Sequence, residues 1–223
     1  FVWNYENNAL RFATNNTEAM RIDSSGRLLL GTTDEGKSGA DEFTVATSSN
    51  TGITIRSGTS STGDIMFSDG TSGDDEFRGI VRYDHSNNSM QLWSNASERM
   101  RIDNSGRLLY GHTSSRTIYG LQAGVQIEGT QFEDSSLSIT CNNVSDTPIL
   151  LLARSRGSSL GSNTALTDGQ TIGEISFVPS DGTDMGSASV RIQAQADDNH
   201  GTNDIPGRLV VQTVTDGSES SAE

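Results

Sequence analysis

The sequence predicts an all-β protein built of short antiparallel hairpin modules, in an elongated oligomer and not a self-sufficient globule. Three observations carry this. A word at residues 18–33, EAMRIDSSGRLLLGTT, returns at 98–113 as ERMRIDNSGRLLYGHT, and the register holds without a gap from Asn7/Asn87 to Thr33/Thr113, an offset of 80 positions. Few strong helix formers stand in any run, whereas 24 Gly and abundant Ser, Thr, Asn and Asp favour short strands and turns. The apolar supply is also thin. Hydrophobic residues make up 32%, and Leu, Ile, Val and Phe together about a fifth, close to the level at which strongly charged chains stay unfolded. Such a chain covers its apolar faces by borrowing neighbouring copies.

Each element of the repeat has a local reason. Met20 and Ile22 point one way and Arg21 and Asp23 the other, the alternation of a half-buried strand. Asp23–Gly26 and Asp103–Gly106 then carry tight-turn chemistry: an Asp side chain bonds the following backbone and Gly takes the positive-φ position. Arg27–Gly31 and Arg107–Gly111 form the return strand. Because three large residues are adjacent there, Leu29 and Leu109 face away from Leu28 and Leu108, and both faces need cover.

Upstream of each word lies a strand pair around an Asn-Asn turn, VWNYENNALRFAT and IVRYDHSNNSMQLWS. Further upstream of the second, GDIMFSDGTSGDDEFRGI reads as strand, Asp-Gly turn and strand, and GEISFVPSDGTDMGSASVRI at 173–192 repeats that layout. The remainder, QAQADDNHGTNDIPGRLVVQTVTDGSESSAE, parallels YDHSNNSMQLWSNASE with a longer turn. The parsing is therefore residues 1–33 as the C-terminal part of a first β module, 34–113 as a second, and 114–223 as a third with insertions, cut before its closing hairpin. The closing glutamates are spaced unevenly, which excludes the fixed period of a solenoid. A chain that opens on Phe1 and stops where a hairpin should begin reads as a fragment, and its parent is expected to continue past Glu223 with another Met-Arg-Ile-Asp word.

A net charge of −14 and a pI near 4.5 argue against nucleic acid, which demands a basic patch. No apolar run approaches the roughly 20 residues that span a bilayer, so membrane insertion is not expected. The single cysteine, Cys141, has no intrachain partner and reads as a small buried hydrophobe.

Candidate chemistry is sparse. Gly31-Thr-Thr-Asp-Glu-Gly36-Lys37-Ser38 satisfies the phosphate-cradling pattern, but SGADEFTVATSSN, turn-rich and then β-like, follows where a helix is needed, Asp34 and Glu35 oppose phosphate, and the second copy lacks the pattern. His85, His112 and His200 lack metal-site spacing; only on a three-fold axis would His112 meet two copies of itself. The stretches 69–76 and 197–204 are rich in oxygen ligands without the ordered spacing of a calcium loop. Paired carboxylates for glycoside cleavage have no evident placement, and no nucleophile elbow is present. Neither catalytic, cofactor nor metal residues are assigned. Glu18/Glu98, Arg21/Arg101, Asp23/Asp103 and Arg27/Arg107 are read as structural, on an outward face where paired charges fix register.

The word (S/T)-E-x-M-R-I-D-x-S-G-R-L-L-x-G-x-T with the upstream cassette P-G-R-L-V-x-x-T-x-x-D-G, carried by 15–33, 95–113 and 205–223, resembles the repeat of tail fibres and related appendages of tailed bacteriophages, cyanobacterial phages among them. The resemblance implies a structural virion protein: a parallel homotrimer of intertwined or side-by-side β modules on a three-fold axis, with other tail or baseplate proteins and a host-surface glycan or protein receptor as partners. A polysaccharide-cleaving tailspike and a non-viral trimeric adhesin stalk are the alternatives. Trimer contacts are expected through the hairpin faces carrying Met20, Ile22, Leu28 and Leu30 and their counterparts Met100, Ile102, Leu108 and Tyr110. Receptor contacts are expected from inserted turns at 69–78, 155–169 and 197–205, since loops can vary while a shaft keeps its register.

Overall fold

The structure, a computed structural model, describes residues 3–218 and the two-residue strand at 221–222. The chain divides into two compact units between Arg56 and Ser57.

The first unit holds one four-stranded sheet: β1 (Leu10–Thr14), β2 (Thr17–Ile22), β3 (Leu28–Leu30) and β4 (Phe43–Val45), side by side in chain order. β1 and β2 are antiparallel, joined through Asn15 and Asn16, both at positive φ (50° and 56°). That is the mirror-image turn whose twist matches a hairpin, and Asn tolerates it better than most residues. β2 returns as β3 through the expected Asp turn. Asp23 Oδ1 accepts the N–H groups of Ser25 (2.9 Å) and Arg27 (3.0 Å), and Gly26 sits at φ 84°. β4 then runs parallel to β3.

The second unit repeats this plan and extends it. β5 (Thr62–Phe67), β6 (Gly79–Asp84), β7 (Ser89–Ser94), β8 (Ser97–Ile102), β9 (Leu108–Tyr110) and β10 (Val125–Ile127) form a six-stranded sheet in chain order, antiparallel except for the parallel pair β9/β10. A third sheet, antiparallel throughout, follows with β11 (Thr171–Phe177), β12 (Val190–Ala196), β13 (Gly207–Val214) and β14 (Ser221–Ala222).

The all-β expectation from hairpins is met, with three differences. The strand expected in the first half of VWNYENNALRFAT does not form: among the described residues, 3–9 carry no strand, and Phe1 and Val2 lie outside them. Side chains there compete for the backbone, with Asn4 Nδ2 donating to the Asn8 carbonyl (3.0 Å) and Asn4 Oδ1 accepting the Glu6 N–H (3.2 Å). The Asp-Gly turn expected after β5 is instead a 3₁₀ turn, Gly73–Phe77, held by Asp75 and Asp69 on Arg78. Finally, β10 was not anticipated as a strand, whereas β4 falls in the stretch after Lys37 that reads as β-like.

These parallel strands need crossovers, and irregular chain at 31–42 and 111–124 supplies them without the usual helix. Each crossover is pinned by the middle residue of the strand it feeds. Thr44 Oγ1 accepts the Gly36 N–H (3.0 Å), while Gln126 accepts the Arg116 N–H (2.9 Å) and donates to the Ala123 carbonyl (3.2 Å). Thr44 and Gln126 stand opposite Leu29 and Leu109, so the crossovers lie on that face, and the two leucines are 1% and 0% exposed.

Candidate assembly face

Each hairpin contains one extra residue. Phe12 opposes Met20 but Ala13 opposes Glu18, leaving Ala19 unmatched; Leu92 opposes Met100 but Trp93 opposes Glu98, leaving Arg99 unmatched. Such a bulge re-aims the residues around it. In a regular strand residues three apart face opposite ways. Here Glu18 and Arg21 share a face, and the guanidinium forks onto the carboxylate through Nε–Oε1 and Nη2–Oε2 (2.8 Å). Arg101 holds Glu98 in the same way, with Nη2–Oε2 at 2.6 Å. The bulge carbonyls are used too, accepting the N–H groups of Gly31 (2.9 Å) and Gly111 (3.1 Å).

A second clamp closes the turn. Arg27 Nε donates to Asp23 Oδ2 (2.7 Å) and Nη1 to Asp41 (2.8 Å); Arg107 Nε donates to Asp103 Oδ2 (2.8 Å) and Nη1 to Gln122. The bond from Arg21 holds the Glu18 carboxyl below the usual carboxylate range, and the Arg27 backbone N–H, with its guanidinium, does so for Asp23. At Asp103 burial pushes the other way and is outweighed by the same bonds from Arg107.

These charges do not lie on the outward face that the sequence suggested. Arg21 stands opposite Leu29, and Arg101 opposite Leu109, on the face that the crossovers cover, and both arginines and glutamates are largely shielded. In the second sheet that face continues through Gln91, which donates to Ser89 (2.9 Å) and accepts from Trp93 Nε1 (3.1 Å), and through Arg82, paired with Asp64 (2.7 Å) and stacked 5.1 Å from the Trp93 ring. Sequence reasoning missed this network; the alternation Ser89-x-Gln91-x-Trp93 was its only trace.

The opposite face is apolar and open. In the first sheet Leu10, Phe12, Met20, Ile22, Leu28, Leu30, Phe43 and Val45 are aligned strand by strand. In the second, Ile65, Val81, Leu92, Met100, Tyr110 and Ile127 make one row and Tyr83, Met90, Ile102, Leu108 and Val125 the next. Ile102 and Tyr110 are 47% and 46% exposed.

The third sheet repeats the arrangement without the word. Its covered face carries Gln193, Gln195 and Gln212, all buried; Gln193 donates to Glu174, Gln195 donates to Gln193 (3.0 Å) and Arg208 donates to Gln195 (3.2 Å) and Asp197 (2.8 Å), while Gln212 Oε1 is buried without a partner. Its other face presents Ile175, Phe177, Ile192, Leu209 and Val211, with Phe177 51% and Val211 58% exposed.

The remaining candidates resolve individually. No helix opens at Lys37, which begins a turn closed by the Ala40 N–H. His112 is turned inward: Nδ1 lies 2.8 Å from the Ser114 carbonyl and Nε2 is buried, so neither nitrogen is offered to another copy for an axial ring. His200 Nε2 donates to the Pro206 carbonyl (3.0 Å), and His85 meets the edge of Tyr83. In the acidic stretches Asp69 and Asp75 pair with Arg78 and Asp197 with Arg208. Among the described residues no three His, Cys, Asp or Glu side chains converge to hold a metal ion. Cys141 is a half-buried free thiol, and among the described residues no helix is long and apolar enough to cross a membrane.

Set against known proteins, the chain matches no family model and no curated sequence.

Proposed function

We propose that this chain is a segment of a homotrimeric tail fibre of a tailed bacteriophage, a structural virion protein with no reaction to catalyse that helps bring the virion to its host-cell receptor. The observation that carries this reading is the orientation of the sheets: all three gather most of their charged and amide side chains on a covered face and leave an apolar face largely in water. Burying such a face returns roughly 25 cal/mol per Å². Among the described residues no strand lies over these faces, whereas three copies around an axis would bury all three by symmetry. Register is then fixed inside each chain by the arginine forks, which leaves the open face free to be purely apolar. The motif's likeness to fibre repeats supplies the biological setting, and the inserted turns at 69–78, 155–169 and 197–205 supply the variable surface for a glycan or protein receptor.

Light scattering on the purified chain tests the assembly. A mass of three chains is expected, and a stable, folded monomer at micromolar concentration would overturn it. Labelling the protein on intact particles tests the setting, and release of oligosaccharides from host polysaccharide would instead indicate a spike.

A further inference from the structure

β10 is the last strand of the second sheet, and no strand among the described residues pairs with its outer edge. Leu108 donates to the Gly124 carbonyl and Glu128 donates to that of Tyr110, so even-numbered residues bond β9. The N–H and C=O groups of Val125 and Ile127 therefore point to the open side. That edge borders a cleft of about 880 Å³, walled by Ile118, Leu121 and Met185 and, across from β10, by the Glu174, Ser176 and Val178 side of β11 and its continuation. An open edge beside an apolar cleft is a template for strand addition.

The same chain carries an unpaired run suited to it. Ile149-Leu-Leu-Leu-Ala153 is the longest apolar run in the sequence, yet it forms no strand, and Ile149, Leu150 and Leu151 are 64%, 66% and 81% exposed. A strand apolar on both sides, without alternation, is what a fully enclosed position selects. Its own cleft is an awkward destination. Leu152 is seated against Gly173, whose face of β11 is opposite to that of Glu174 and Ser176, and Arg154 bonds the Thr171 carbonyl, so the run is fastened on the far side of β11 from the cleft.

We propose that the Ile149–Leu152 run of a second copy enters this cleft and adds to the edge of β10 as a seventh strand, so that the chains are interlocked by exchanged strands as well as packed face to face. This rests on the trimer reading. The test is cysteine pairing in the full chain with Cys141→Ser throughout. Copies carrying Ile127→Cys and copies carrying Leu150→Cys, with different tags, are produced together and oxidised. A disulfide joining the two tags is expected, and copies pairing Ile127→Cys with Leu160→Cys, outside the run, should not form one. If light scattering shows a trimer but no such link forms, or if both cysteines placed in one chain give only an intrachain link, strand exchange is overturned and face-to-face assembly stands. A monomer would overturn both.

Discussion

Arg21 grips Glu18, three residues earlier in the same strand, because the extra residue Ala19 brings both side chains onto one face. Arg101 and Glu98 repeat the relationship around Arg99. The repeated letters E-x-M-R are thus the signature of a bulge. Converting Glu98→Gln keeps the shape and removes the charge, and should lower stability by about 1–3 kcal/mol, since the largely shielded Arg101 loses its charged partner. Deleting Arg99 should cost less, because Glu98 and Arg101 are then two residues apart and still share a face in regular alternation, so the ion pair keeps its side. Urea denaturation of the two variants checks the order.

The turn between β7 and β8 places Asn95 and Ala96 at φ 53° and 55°. A side chain with a Cβ is strained there, by roughly 1 kcal/mol. Ala96→Gly should therefore raise the urea midpoint, with a gain of about 0.5–1 kcal/mol and an unchanged m-value.

Gly31 and Gly111 illustrate the opposite case. Both have positive φ (75° and 81°), and a Cβ at either would collide with the carbonyl of Ala46 or Glu128 as the parallel strand passes. Gly111→Ala should destabilise by roughly 2–4 kcal/mol, combining backbone strain with displacement of β10. Gly106→Ala, at φ 77° but in open space, should cost only about 1 kcal/mol. Thermal unfolding of the pair separates the two causes.

Acid should weaken the fold. Glu18 is held low by its bond from Arg21, Asp23 by the Arg27 N–H, and Asp64 by Arg82; at Asp103 and Glu174 burial opposes the shift and hydrogen bonds prevail. A carboxylate with a lowered folded pKa contributes stability that is complete above its unfolded value, about 4, and is lost as pH falls through the folded one. Melting temperature should therefore be flat with respect to these groups from pH 7 to about 5 and decline from about pH 4 downward. A melting temperature that rises on acidification below pH 4 would contradict this assignment.

The inserted turns should govern host contact and leave assembly alone. Residues 197–206 close on themselves through Gly201, Asp204 and Pro206, and 155–164 through the Arg156 N–H to Thr164 carbonyl bond (3.1 Å). Shortening 155–169 should leave the oligomeric mass unchanged while reducing adsorption of particles, or competition by the purified chain, several-fold. Unaltered adsorption after shortening all three turns would place receptor contact elsewhere.

Much of the hairpin architecture was legible because its causes are local. Asp23 and Gly26 dictate a turn wherever they occur together, and the adjacency of Leu28, Leu29 and Leu30 announced that one leucine would be buried opposite the others. The side assigned to the charges was not legible, since alternation alone cannot say which face a crossover will cover. The bulge escaped because Ala19 and Arg99 share no residue type; only the odd spacing of Glu and Arg betrayed it. β10 escaped for a different reason. Val125-Gln-Ile is a three-residue strand whose pairing depends on a distant neighbour, whereas Phe43-Thr-Val was legible as β-like though not its parallel partner, and the Asn15-Asn16 turn was overshadowed by the longer Asn-Asn segments nearby.

In each sheet every strand pairs only with those just before or after it in the chain. Pairing of this kind closes short loops, so each sheet can form quickly and as synthesis proceeds, well before a complete chain is released. In the proposed trimer the apolar faces, by contrast, would wait for other copies. Folding should consequently be fast and independent of concentration, and the slow, concentration-dependent step should be the meeting of sheets already made. During that interval each nascent chain exposes a water-averse surface, so polysomes that hold neighbouring nascent copies close together would raise the yield of assembled protein over that from dilute refolding.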